Sequence, residues 1–456
     1  MKEQKLKKNL SFMSMVALAS GAVIGGWLAE APYWFELTGA GAVIIFPLLA
    51  ICLIPIGLVY SELSAMLPFA SSITVWTDNA IGHKSAWFTQ WGMLLVQLVQ
   101  SPGMAFILVT ALQYFFPFPD AYSKYIAMGI MILWYILSNF NVSLTGKLSE
   151  IFFFTMIAIS LIVSGSLFFS GHWSMSNITE HGGWFPMGIS GAVMASAVFV
   201  LKFIGFEMTP TLIEETNFPV KKIWKVVFSA LFFPALLYMI VVFAMGGMAP
   251  WQEIAGMNMP EPELINRYGL LKLLGSAAIF SGILHAITTI MGFWSSSSRV
   301  LYGGAKMNYF PEAFMKLNKN GQPYISNIVV LIASLFFAAF TGMGNWVQYL
   351  YSVSCAVAGV LYFLACLDAY LLRKKYPEWE RPFKVAFGPV VFVLGMIVSV
   401  WIIIGSCMAL PVGGYVSIAI FMLLGVVVYC AMESYRKKNP GQFEMIQFTP
   451  DDIDRE

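Results

Sequence analysis

Twelve long apolar stretches occupy most of the chain, at roughly residues 10–37, 40–67, 86–115, 122–141, 149–170, 189–213, 225–249, 270–298, 327–345, 347–372, 386–410 and 413–434. A helix needs about 20 mostly apolar residues to cross a bilayer, and each stretch is of that order. Lipid offers no hydrogen-bond partner to backbone N–H or C=O groups, so at this hydrophobicity helices are the spanning element. The short connections leave no room for a water-soluble domain. The expected fold is therefore an all-α membrane protein with twelve transmembrane helices. Composition agrees: 59% of the 456 residues are hydrophobic and 11% are charged, against about 25% charged in soluble proteins. That balance excludes an ordinary cytosolic enzyme, a disordered chain and a disulfide-held scaffold.

The distribution of Lys and Arg sets the expected orientation. With the N-terminus inside, 22 of the 26 basic residues fall in cytoplasmic segments. Three (Lys124, Arg267, Lys272) fall in outer loops and one, Lys202, lies inside a span. Both termini are expected in the cytoplasm, with the chain multi-pass in the plasma (inner) membrane. The basic start MKEQKLKKNL leads into a long apolar run without a small-residue cleavage site, so it is expected to precede the first membrane helix and not to be a removed signal peptide. A net charge of +2 gives no field aimed at nucleic acid. The five cysteines, Cys52, Cys355, Cys366, Cys407 and Cys430, form no CxxC pair and are expected as buried reduced thiols without a metal or redox role.

Two spans contain breaks. The first reads SGAVIGG from Ser20 to Gly26, followed by Pro32; the sixth reads KFIGFE from Lys202 to Glu207, followed by Pro210. Gly25 and Gly205 are 180 residues apart. Each break lies in the first helix of a five-helix half, spans 1–5 and 6–10. Interrupted spans at matching positions of two halves point to a transporter binding site. Unwound backbone frees N–H and C=O groups that need partners, and a zwitterionic substrate supplies both charges. The candidate substrate-binding residues are Ala22, Val23, Ile24, Gly25, Gly26 and Trp27 at the first break, and Lys202, Phe203, Ile204, Gly205 and Phe206 at the second. The competing reading is that the glycines only let helices pack closely.

At these residues the chain resembles the amino acid–polyamine–organocation permeases. SGAVIGG is similar to that family's first-helix motif, and FIGFE to its sixth-helix motif. Glu214-Glu215-Thr216-Asn217-Phe218-Pro219 with Lys221 and Lys222, Ser298-Arg299-Val300-Leu301-Tyr302 leading to Phe310-Pro311, and Tyr60-Ser61-Glu62-Leu63 before Pro68 resemble three further motifs in the family's order. Glu30-Ala31-Pro32 and Ile54-Pro55-Ile56-Gly57-Leu58 look most like the glutamate/GABA antiporter branch. The resemblance implies the leucine-transporter-type fold, a 5+5 inverted repeat with helices 1 and 6 broken, plus two C-terminal helices. On that scheme 1–9 is a cytoplasmic N-terminus, 10–170 the first repeat, 189–372 the second, 386–434 the last two helices and 435–456 a cytoplasmic tail. Three departures stand out: Ser71-Ser72 replaces the usual Gly-Gly, Trp27 follows Gly26 where a small residue is commoner, and no lysine lies in the fifth helix between 149 and 170.

Ionisable side chains within spans are costly and functional by default. In the implied fold helices 1 and 6 run side by side, so Glu30 and Lys202 can meet. Either they form a structural ion pair that joins the two broken helices, or Lys202 attracts a carboxylate and the pair exchanges partners with substrate or proton. Glu207 matches a family position proposed as pH-sensitive; a plain hydrogen-bonded carboxylate is the alternative. His285 is a titratable group or an interhelical hydrogen bonder. Glu30, Glu207 and His285 are thus the coupling or gating candidates. Thr288 and Thr289 resemble, weakly, the helix-8 hydroxyls of sodium-coupled relatives. Trp27, Phe203 and Phe206 are gate candidates. Glu62, Arg299 and Asp368 are expected in salt bridges near the cytoplasmic ends.

No Ser/His/Asp set, His/Glu metal spacing or phosphate-binding loop is present in the sequence, so no enzyme activity, cofactor or metal is expected. The expected function is alternating-access transport of an amino acid. Antiport against a related amino acid or amine comes first; proton-coupled, then sodium-coupled, symport of an amino acid or polyamine comes second. A membrane enzyme, a channel and a receptor are the other classes. The expected partners are a small-molecule substrate and the lipid bilayer, with the chain as monomer or homodimer.

Overall fold

A computed structural model describes residues 6–140, 142–339, 346–441 and 443–455. Each of the twelve apolar stretches is largely helical over its described residues, and no strand forms among those residues beyond two isolated bridges. Among the described residues, ten helical runs are long and apolar enough to cross a membrane. The helices Phe12–Ile24 and Tyr324–Ala338 are shorter. The first is short because its span is cut at Gly25–Gly26, and the run Trp27–Met66 joins the other half of that span to the next one. Part of the ninth stretch, 340–345, lies outside the described residues.

Eight helices position the site: α1 (Phe12–Ile24), α2 (Trp27–Thr38), α3 (Ile54–Met66), α4 (Val142–Phe168), α5 (Gly188–Phe199), α6 (Ile223–Gly246), α7 (Lys272–Lys306) and α8 (Trp346–Lys375). α1 packs against α4, α6 and α7. Helix α3 starts where Pro55 sits at its first turn, a position where the missing N–H costs nothing. The expected span 86–115 is two helices, His83–Leu98 and Gln100–Phe115, joined at Val99. The last helix runs to Lys438, past the expected boundary at 434. Its apolar side chains face outward, Leu423 and Val427 each 63% exposed, as a lipid-facing surface requires. The thiols are only partly as expected: Cys355 and Cys366 are buried, Cys52 and Cys407 half-buried, and Cys430 exposed.

Leu10 and the segment from Ile446 to Phe448 lie at one end of the bundle. Leu10 is bridged to Thr216, and Asn217 N–H donates to Leu10 O at 2.9 Å. Glu214 accepts from Ala70 N–H at 2.8 Å and pairs with Lys306 at 3.2 Å. Ile446 N–H reaches Met307 O at 3.3 Å, and Phe448 stacks on Phe69 at 4.8 Å. These contacts define a terminal face.

Candidate substrate site

At the first break the chain leaves α1 because Gly25 takes φ 52°, a left-handed conformation that only glycine adopts without strain. The last carbonyls of α1 thereby lose their intrahelical partners. Helices α6 and α7 replace them. The Tyr238 hydroxyl is shared between Val23 O at 2.8 Å and Ile24 O at 2.5 Å. The Thr289 hydroxyl lies 3.2 Å from Ala22 O and 3.3 Å from Gly21 O, and Thr288 lies 3.3 Å from Gly21 O. Both threonines also donate to His285 O of their own helix, at 2.9 and 3.0 Å.

The second break is longer than the sequence suggests. The α-helix ends at Phe199, a tight 3-10 turn covers Val200–Phe203, Ile204 is extended and Gly205 has φ 140°. The chain then continues as 3-10 helix from Phe206 to Glu215, with Pro210 inside; proline removes an N–H that an α-helix would need. The two breaks touch. A Cβ on Gly205 would stand 2.7 Å from Val23 Cγ2.

Between the breaks lies a buried ion pair. Lys202 Nζ is 2.6 Å from Glu30 Oε2, with side chains 3% and 2% exposed. The Tyr351 hydroxyl donates to the same oxygen at 2.7 Å and accepts from Trp34 Nε1 at 2.9 Å. The ammonium also lies 5.8 Å from the Trp34 ring centre and 5.5 Å from that of Tyr238, so it is held by cation–π contacts as well. Glu30 is in the first turn of α2, and Lys202 is in the last turn of its 3-10 segment. Each charge stands at the helix end whose dipole suits it. A Cβ on Gly25 would meet Lys202 Nζ at 2.9 Å. The ammonium thus fills the space beside the first break.

The other candidates fall into separate clusters. Glu207 Oε2 accepts from Gly205 N–H at 2.8 Å and from the Tyr362 hydroxyl at 3.3 Å, while its Oε1 has no partner among the described residues. His285 Nε2 lies 3.2 Å from Ser281 Oγ and 3.4 Å from Ser160 Oγ. The aromatic gate candidates do not meet. Trp27 packs edge-on to His285 at 5.7 Å, Phe203 lies against Phe46 at 6.5 Å, and Phe206 stacks on Tyr362 at 5.5 Å.

At the terminal face Arg299 holds Glu215 through two bonds of 2.7 and 3.1 Å and Gln322 at 2.8 Å. Glu62 accepts from Arg373 at 2.8 and 2.5 Å and from Val385 N–H at 2.7 Å. Asp368 departs from expectation. It accepts from Thr77 Oγ1 at 2.6 Å, and no cation lies within ion-pair distance among the described residues.

Sequence reasoning missed the hydrogen-bonding aromatics: Trp34, Tyr238, Tyr351 and Tyr362. Aromatic residues are 16% of the chain, so no single one carries a signal until the fold places it beside a charge.

The amino acid permease family matches this chain over residues 10–430. Among curated relatives, the chain is 25% identical over 439 residues to the gamma-aminobutyric acid permease of Bacillus subtilis (strain 168), covering 86% of this chain and 88% of that one. It is 26% identical over 334 residues to the D-serine/D-alanine/glycine transporter of Escherichia coli (strain K12), covering 70% of each. It is 23% identical over 470 residues to the branched-chain amino acid permease BcaP of Bacillus subtilis (strain 168), covering 94% and 93%.

Proposed function

From the premise that the chain belongs to the amino acid permease family, we propose that it carries a neutral amino acid across the plasma membrane by alternating access. The substrate is bound between the two breaks. Its carboxylate meets the N–H groups near Gly25 and Gly26, and its ammonium meets the carbonyls near Lys202, Phe203 and Ile204. The twelve helical stretches act as twelve spans. Residues 10–170 and 189–372 form the two inverted repeats, 386–434 the two added helices, and the terminal face is cytoplasmic. Glycines with positive φ at positions 25 and 205 support the repeat.

The observation that carries this reading is the Lys202–Glu30 pair. Its charges cancel, so the site as a whole suits a zwitterion. Its ammonium stands 2.9 Å from where a Cβ on Gly25 would lie, in the place assigned to substrate. Substrate entry therefore requires the pair to exchange partners: the substrate carboxylate takes the lysine and the substrate ammonium takes the glutamate. The pair also closes the empty site without a stranded charge, so the empty carrier reorients. That favours net uptake over obligatory exchange. The names of the relatives, which mention gamma-aminobutyrate, small amino acids and branched-chain amino acids, agree with a neutral substrate.

The test is uptake of labelled glycine, alanine, leucine and gamma-aminobutyrate into proteoliposomes that contain no amino acid. Net uptake is expected for at least one of them. Uptake that requires an internal amino acid or amine makes the protein an exchanger. Uptake that requires sodium makes sodium the coupling ion, with Thr288 and Thr289 as the first residues to substitute. Neither uptake nor counterflow with any amino acid removes the carrier reading.

A further inference from the structure

At the terminal face two segments far apart in the chain are fixed side by side. Glu62, buried near the end of α3, accepts from Val385 N–H at 2.7 Å and pairs with Arg373 at 2.5 Å and Arg381 at 3.5 Å. Arg381 donates in turn to Trp379 O at 2.6 Å and Tyr376 O at 3.1 Å. The Tyr376 and Trp379 rings stack at 4.1 Å. The connection that follows α8 is thus held in one shape. It sets Phe383 against Trp224, in the first turn of α6, with ring centres 6.1 Å apart and planes 20° from parallel.

Four lysines flank this aromatic shelf. Lys221 and Lys222 precede Trp224, Lys225 follows it, and Lys384 follows Phe383. All four are exposed, and none lies within ion-pair distance of a carboxylate among the described residues. Lys225 Nζ is 5.6 Å from the Trp224 ring centre. The arginines differ, because Arg373 and Arg381 are engaged by Glu62. The acids of the connection, Glu378 and Glu380, are exposed and pair with none of the four lysines. Beside the shelf the surface is apolar. Phe228 stacks on Trp224 at 6.0 Å and Phe232 on Phe228 at 6.0 Å, a row along α6. Helix α3 packs against both α6 and α9 (Gly388–Ala409). Phe387, at the head of α9, is 84% exposed, and Val390, Leu394 and Ile397 of α9 are exposed too. Unpaired cations above an apolar surface suit a molecule with an anionic head and apolar chains. Basic residues beside membrane helices attract anionic lipid headgroups, and aromatic rings sit at headgroup level.

We infer that Trp224, Phe383 and the lysines 221, 222, 225 and 384 form a binding site for an anionic phospholipid of the leaflet at the terminal face. The lysines hold its phosphate. Its glycerol and upper acyl chains lie along the row Trp224, Phe228 and Phe232. The bound lipid ties the start of α6 to the connection after α8. The site uses no property of the substrate, so it stands or falls separately from the carrier reading.

The experiment melts the whole chain, purified in an uncharged detergent, with increasing phosphatidylglycerol or phosphatidylcholine. Phosphatidylglycerol is expected to raise Tm along a saturating curve, and phosphatidylcholine is not. One lysine near a membrane surface strengthens the attraction to anionic lipid about five-fold. Lys225→Gln with Lys384→Gln is therefore expected to raise the half-saturating phosphatidylglycerol concentration by about ten-fold or more. Lys437→Gln with Lys438→Gln removes the same charge from exposed positions at the end of the last helix and should leave that concentration unchanged. Equal weakening by both pairs means a diffuse attraction to charge and overturns the site. So does an equal response of the wild-type protein to the two lipids, or an unchanged half-saturating concentration in the shelf variant. If the shelf variant is not monodisperse in detergent, Lys221→Gln with Lys222→Gln decides in its place.

Discussion

At the scale of single residues, the site is governed by charges that have nowhere else to go. Removing one member of a buried ion pair strands the other and costs about 3–5 kcal/mol. Lys202→Ala and Glu30→Ala are each expected to impair transport strongly, and the double variant less than additivity allows. Initial uptake rates at equal expression for the four-member cycle test this; normal rates for Lys202→Ala would make the lysine a packing residue. Backbone strain shows the same local control. Ser72 has φ 52° and ψ −125°, in a turn closed by Thr74 N–H to Ser71 O at 3.1 Å. That is the position of a type II′ turn where glycine is favoured, which explains why the resemblance is to Gly-Gly there. The Ser72 hydroxyl has no partner among the described residues, so Ser72→Gly loses no hydrogen bond. It should stabilise the protein by up to about 1 kcal/mol, read as a rise in Tm in detergent; a fall would show that the serine side chain matters.

At the scale of elements, the long 3-10 segment Phe206–Glu215 is the piece that links the site to the terminal face. It starts at the second break and packs against α1, α3, α6 and α7. It ends at Glu214 and Glu215, which are tied to Lys306 and Arg299 of α7. Arg299 and Glu215 are both 1% exposed. Arg299→Ala therefore leaves a buried carboxylate without its cation and is expected to cost about 3–5 kcal/mol. Thermal melting in detergent checks this, and Arg299→Ala with Glu215→Ala should recover part of the loss. A wild-type Tm for Arg299→Ala would mean that Gln322 and solvent satisfy Glu215 unaided. The breaks themselves were legible in the chain, because glycine-rich runs inside apolar spans are local signals. The extent of the second was not. Whether residues 206–215 coil as α or 3-10 depends on the helices packed around them.

At the scale of the whole molecule, contacts bring Leu10, Glu214, Lys306 and Phe448 to one end, so the first and last parts of the described chain share a face. The distribution of basic residues predicts that this face meets the cytoplasm. A cysteine placed at Asn258 should react with an impermeant maleimide in intact cells, and one placed at Lys438 should not; the reverse pattern would invert the topology. The sequence by itself determined that the chain is a helical membrane protein and that two of its apolar stretches are interrupted. Those properties follow from runs of apolar side chains and from glycine, and each is readable within about 20 neighbouring residues. Only the tertiary structure decided what the interruptions hold. Glu30 and Lys202 are 172 residues apart, and Tyr351 is 321 residues from Glu30. The same holds for Asp368, expected in a salt bridge and found with Thr77 instead, 291 residues away. Such pairings depend on which helix faces which, and a buried charge takes the partner that packing brings to it.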